Sequence, residues 1–185
     1  PSSHWRQIVE DLDVAVEDAI VIGHSGAGAL LPAVGERLSA VAFVFVDAVF
    51  STRSISWLAL LHEEDPQFAQ QTANHLRAGG VFPDWTDEQL RVLIPDDHQR
   101  DEVMKMVRPR ELPFFEEQIA SPVDWQRKPC SYIRLSAPYV FYATRARDAG
   151  WSTYEYPSHH LAIITEPEQI AKLIHQAILE MQVSQ

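Results

Sequence analysis

The chain has 185 residues, 26 acidic and 15 basic, for a formal net charge of −11, and a single cysteine. That length supports one sizeable core, burying roughly 70% of the unfolded surface, and is too short for two full-sized α/β domains. The charge disfavours nucleic acid and anionic membrane surfaces, Cys130 alone cannot form an internal disulfide, and the longest apolar run (41–46) falls far short of the roughly 20 residues a membrane span needs.

In chain order, Trp5, Ile8, Val9 and Leu12 recur at helical spacing and predict an amphipathic helix over 4–12. A short buried strand follows at 19–22, a helix at 26–38 and a second strand at 41–46, whose VAFVFV is apolar on both faces. Strand, helix and strand in that order make a βαβ unit of a parallel sheet. From 51 to 128 the pattern holds no convincing strand. Prolines 66, 83, 95, 109, 113 and 122 cut it into helices over 67–78, 86–94 and 96–107, with Asp65-Pro66 and Thr86-Asp-Glu as helix starts. Positive charge gathers in 100–110, but Asp101 and Glu102 interrupt it, which reads as a solvated helix face. Alternation then resumes with a strand at 131–135, a helix at 138–149 closed by Gly150, a strand at 151–156 and a terminal helix at 166–181. The expected architecture is α/β, a mostly parallel sheet with flanking helices. Residues 1–50 and 129–185 form its core, and 51–128 is a helical insertion.

Ser25 stops the first strand at its carboxyl end, where parallel sheets gather ligands. Gly23 and Ala27, two before and two after, are small enough for a sharp strand-to-helix turn that presents the hydroxyl. The N–H of Gly26, next in the chain, points from the start of the new helix and is placed to donate to an oxyanion. Gly23-His24-Ser25-Gly26-Ala27 resembles the G-x-S-x-G nucleophile elbow of the α/β-hydrolase family, with alanine for the last glycine. The bland alternative is a small-residue turn with a helix-capping serine.

The resemblance extends from residue 19 onward and implies a base and an acid. Tyr154-Glu-Tyr-Pro-Ser-His-His-Leu-Ala-Ile-Ile-Thr-Glu-Pro167 is similar to the family's histidine loop, and the usual seven-residue spacing to the proline selects His160 over His159. His24 is expected to point elsewhere, as a packing or pocket residue. The strand at 131–135 is followed by Ser-Ala-Pro-Tyr139 with no acid, so the family's other acid position, at the end of the preceding strand, implies Asp47. Asp47 could instead cap the next turn, and Glu155 and Asp148 are weaker candidates. The family's hydrolases carry several strands ahead of the elbow and a loop, often His-Gly, that donates a second oxyanion N–H. Here one helix precedes it, so the expectation is an N-terminally incomplete sheet whose upstream segment was omitted.

The resemblance thus implies a serine hydrolase acting on a small, largely apolar carboxylic ester, thioester or lactone. Ser25 is the nucleophile, His160 the base, Asp47 the orienting acid and Gly26 an oxyanion donor. The helical insertion would roof the pocket, with Trp57, Phe82, Trp85, Phe114 and Phe115 as lining residues that core packing explains equally well. No cofactor and no metal are expected. Partners are a small-molecule substrate, neither nucleic acid nor membrane, and either a homo-oligomer or pairing with the missing N-terminal segment. Cysteine usage points to the cytoplasm. Two alternatives remain: a lyase or cyclase using the same serine and histidine, and a noncatalytic binding subunit with a degenerate hydrolase fold.

Overall fold

The computed structural model describes residues 3–183. Ser3 caps the first helix, α1 (His4–Glu10), by accepting a hydrogen bond from the Arg6 N–H. Then come β1 (Ile20–Ser25), a 3-10 turn (Gly26–Leu30), α2 (Leu31–Arg37) and β2 (Ala42–Ala48). The expected single helix over 26–38 is therefore two pieces. Gly28 lies so close to the backbone at Val49 that the chain turns more tightly than an α-helix until Pro32 starts the regular one.

Between β2 and the next long strand lie β3 (Ile55–Ser56), α3 (Trp57–Glu64), α4 (Pro66–Arg77), α5 (Asp87–Arg91), α6 (Asp97–Met106), α7 (Leu112–Glu116) and β4 (Gln118–Ile119). The sequence suggests no strand here, yet β3 and β4 pair antiparallel. Two residues are too few to show a period, and the register partners Ile55 and Ile119 are both buried. Asp65 caps α4, and Thr86 with Gln89 forms a reciprocal capping box on α5. Arg100 corrects the solvated-face reading of the basic stretch. Its side chain is 3% exposed, pairs with Asp87 and Asp97, and donates to the Ile94 carbonyl, tying α5 to α6. A buried guanidinium is tolerated only with such partners.

The chain closes with β5 (Cys130–Arg134), α8 (Val140–Asp148), β6 (Ser152–Glu155), α9 (Ala162–Thr165) and α10 (Pro167–Val183). The main sheet is parallel throughout, in the order β1-β2-β5-β6, and β1 forms one of its edges among the described residues. Every residue of β2 is buried. Phe43 and Phe45 enter a cluster with Trp5, Leu31 and Tyr142 from α1, α2 and α8. Val44 and Val46 face Ala162, Ile170 and Ala177 from α9 and α10. Helices on both faces of a central apolar strand are what the unbroken VAFVFV run requires. A third cluster joins Leu90, Ile94 and Val103 of the α5–α6 region to Leu161. Among the described residues no helix is long and apolar enough to cross a membrane.

The β1–β2 register slips at its end. His24 faces Val46 but Ser25 faces Ala48, so Asp47 is the extra residue of a bulge, with φ at +42°. Tyr132 of β5 locks that bulge, its buried hydroxyl accepting from the Ala48 N–H at 3.1 Å and donating to the Ala48 carbonyl at 2.9 Å. A bulge re-aims a side chain, and here it turns Asp47 out of the ladder toward the end of β5.

Candidate active site

Ser25 ends β1 with φ 58° and ψ −135°, a conformation a side-chain-bearing residue adopts only when its surroundings enforce it. A Cβ on Gly23 would lie 2.1 Å from Leu31 Cδ1, and one on Gly28 only 2.2 Å from the Val49 carbonyl oxygen. The small residue demanded after the serine is thus Gly28 rather than Ala27, which is exposed. The shift follows from the 3-10 turn, which brings the third residue after Ser25, not the second, against the end of β2. Gly26 opens the turn, with Trp57 Nε1 3.4 Å from where its Cβ would sit.

The structure brings Ser25, His160 and Asp47 together. His160 Nε2 lies 2.9 Å from Ser25 Oγ, and His160 Nδ1 lies 2.9 Å from Asp47 Oδ2. Asp47 is fully buried and also accepts the N–H groups of Leu135 (2.8 Å) and Ser136 (3.1 Å) and the Ser136 hydroxyl (2.5 Å). Burial by itself would raise its pKa, but the hydrogen bonds from His160, Ser136 and Leu135 outweigh that and hold the carboxyl below its ordinary value. The Asp47 carboxylate thus bonds the end of β5 and the His160 ring rather than the turn that follows β2. The other acids lie apart. Glu155 pairs with Arg134 and Arg147, Asp148 ends α8, and the neighbouring His159 is bonded to Thr165.

Two residues the sequence did not single out, together with His24, expected as a packing or pocket residue, complete the surroundings. Ser136 and Tyr139 come from the loop after β5, which carries no acid and supplies hydroxyls instead. The Tyr139 ring stacks on His160 at 4.7 Å with planes 5° apart, and its hydroxyl lies 3.4 Å from both Ser25 Oγ and His160 Nε2. His24 also stacks on His160, at 4.4 Å, and its Nε2 donates to the His160 carbonyl at 2.8 Å. Burial, reinforced by the neighbouring imidazole, lowers its pKa to about 4. His24 is thus neutral at neutral pH and grips the loop that carries His160.

These groups open into a cavity of 880 Å³. All five aromatic residues named from the insertion line it, with Trp5, Leu61, Phe68 and Phe141, while Glu64, Asp65, Arg108 and Arg110 supply its charged lining. Burial raises Glu64 to about 7, with the charges of Asp65 and Asp47 adding to the effect. Linkage gives His24 and Glu64 opposite slopes. The depressed His24 contributes stability present above pH 6.5 and lost as pH falls toward 4. The raised Glu64 contributes stability present below pH 4.5 and lost as pH rises through 7. Removing Glu64 leaves the His24 slope unopposed, with the depressed carboxyls such as Asp47 adding to it at lower pH. Glu64→Gln is therefore expected to gain stability as pH rises from 4.5 to 6.5. Above pH 7 it should exceed the parent by about 1–2 kcal/mol, a figure discounted for Glu64's partial exposure. Urea unfolding at pH 5, 6 and 8 checks this.

The sequence model of the Alpha/beta hydrolase family matches residues 1–173. Among solved structures, an extracellular alpha/beta-hydrolase from a Paenibacillus species superimposes with a TM-score of 0.68 at 20% identity, covering 94% of this chain and 77% of its own; it is described as sharing structural and functional homology with tobacco Salicylic Acid Binding Protein 2. A tomato Methylketone Synthase I variant complexed with beta-ketoheptanoate gives 0.64 at 11% identity, covering 95% and 75%. An Arabidopsis methylesterase gives 0.57 at 14%, covering 93% and 73%. No curated protein matches the sequence significantly.

Proposed function

We propose a reaction from the premise that this chain belongs to the alpha/beta hydrolase family: it is a serine hydrolase that cleaves small, largely apolar carboxylic esters, thioesters or lactones through an acyl-enzyme. The observation that carries this reading is the continuous line from Ser25 Oγ through His160 to Asp47, two contacts of 2.9 Å, ending at an aromatic-lined cavity.

Serine is a poor nucleophile until a base takes its proton. Asp47 accepts from His160 Nδ1–H, which leaves Nε2 with its lone pair toward Ser25. Ser25 Oγ attacks the carbonyl carbon as its proton passes to Nε2. The oxyanion meets the Gly26 N–H, a donor of the kind worth about 3 kcal/mol of transition-state stabilisation. The imidazolium then protonates the departing alcohol or thiol, and water repeats the sequence on the acyl-serine. Residues 51–128 act as the lid over the core. The preponderance of apolar side chains around the cavity supports an uncharged acyl group.

A fluorophosphonate probe tests the reading, since it reacts only with an activated serine. One equivalent should attach to the Ser25 peptide and to nothing in the Ser25→Ala control, and short-chain 4-nitrophenyl esters should be turned over. Labelling without turnover of any ester favours a lyase or cyclase. A folded protein that neither labels nor turns over ester overturns the enzymatic reading in favour of a binding subunit.

A further inference from the structure

We infer that the Tyr139 hydroxyl is a further catalytic group, donating a hydrogen bond to Ser25 Oγ as that oxygen leaves the acyl carbon during deacylation. The inference rests on the acyl-enzyme reading above.

Three polar atoms form a triangle: Ser25 Oγ and His160 Nε2 at 2.9 Å, with the Tyr139 oxygen 3.4 Å from each. The proton inventory assigns the bonds. His160 Nδ1–H is directed to Asp47, so Nε2 has one lone pair, and the nearer Ser25 O–H takes it. Tyr139 also has a proton to place, because burial raises its pKa and the phenol stays un-ionised. With Nε2 occupied, the acceptor within reach is a lone pair of Ser25 Oγ. Contacts of 3.4 Å are long in the free protein and shorten when charge develops on the acceptor. The ring is held in place by stacking on His160 and by contact with Tyr142.

A donor fixed on Oγ acts differently on the two half-reactions. In acylation Oγ begins as a hydroxyl that already accepts the bond and ends as a weakly basic ester oxygen, so the bond is lost rather than gained and the step is not accelerated. In deacylation the change is reversed. Water adds to the acyl carbon and gives a proton to Nε2; the C–Oγ bond then breaks, its electron pair goes to Oγ, and the Nε2 proton follows. Electron density on Oγ rises throughout, and Tyr139 stabilises it without giving up its own proton.

The test is pre-steady-state hydrolysis of 4-nitrophenyl acetate by the full chain and by Tyr139→Phe, which keeps the stacked ring. All rates are expressed per phosphonate-titrated site, so unfolded protein does not count. Deacylation is expected to slow about tenfold, the effect of one hydrogen bond to developing charge, while acylation stays within about twofold. A burst of nitrophenol should therefore grow, or newly appear, and the acyl adduct on Ser25 should accumulate in the intact-protein mass spectrum. Both phases slowing by one factor, or neither slowing, overturns the inference. Should Tyr139→Phe not fold, 3-fluorotyrosine placed at 139 supplies a stronger donor and is expected to speed deacylation; slower deacylation overturns the idea. A wild-type protein that forms no adduct and turns nothing over removes the acyl-enzyme reading itself. An adduct with deacylation indifferent to residue 139 removes the role of Tyr139 alone.

Discussion

Asp47→Asn is expected to lower kcat/KM on a reactive ester by about 10⁴-fold while the protein stays folded, the magnitude typical of a triad acid replaced by its amide. The amide oxygen can still accept from Leu135 and Ser136, so the loop after β5 keeps its anchor. The amide nitrogen then faces His160 Nδ1 and donates to it. That forces the ring proton onto Nε2, the atom that receives the Ser25 proton in the proposed reaction, so the proposed base would be lost without being moved. Parallel assays of turnover and urea unfolding separate this from instability. A loss below tenfold would leave Asp47 as a structural anchor and assign the orientation of His160 to its stacking partners.

The largest expected structural effect comes from Gly28→Ala. The new methyl would lie 2.2 Å from the Val49 carbonyl oxygen and 2.8 Å from Ala48 Cβ, both fixed at the end of β2. Relief requires the 3-10 turn to move away from β2, at a cost of about 3 kcal/mol or more in a packed interior. That motion separates Ser25 on the turn from Asp47 on the bulge, so the folded fraction also loses activity. Gly23→Ala is the matched control. Its conflict is with the tip of the Leu31 side chain, which can rotate, so a smaller cost of about 1 kcal/mol is expected. Equal midpoint shifts for the two variants would contradict this packing account.

What the sequence reveals here depends on the range of the interaction. The βαβ unit is legible because VAFVFV must be covered on both faces, and the starts of α4 and α5 because Asp65 and Thr86 bond within three residues. Within the site, Ser25 is identifiable from its place at the end of a strand and His160 and Asp47 through the family resemblance, and His160 lies within hydrogen-bonding reach of the other two. The 3-10 turn is not legible, since it answers to Val49, more than twenty residues downstream. Arg100 looks like a surface charge until α5 supplies Asp87. Tyr139 is invisible as a neighbour of the serine because three loops, after β1, β5 and β6, must converge before its hydroxyl meets anything.

Leu161, the residue after the imidazole, is buried among Leu90, Ile94 and Val103 rather than in the sheet core. Adjacent residues share a peptide plane and cannot travel far apart. A displacement of α5 and α6 that carried Leu161 with it would, in the proposed reaction, also part His160 from Ser25, which ties the insertion to the candidate base through one buried leucine.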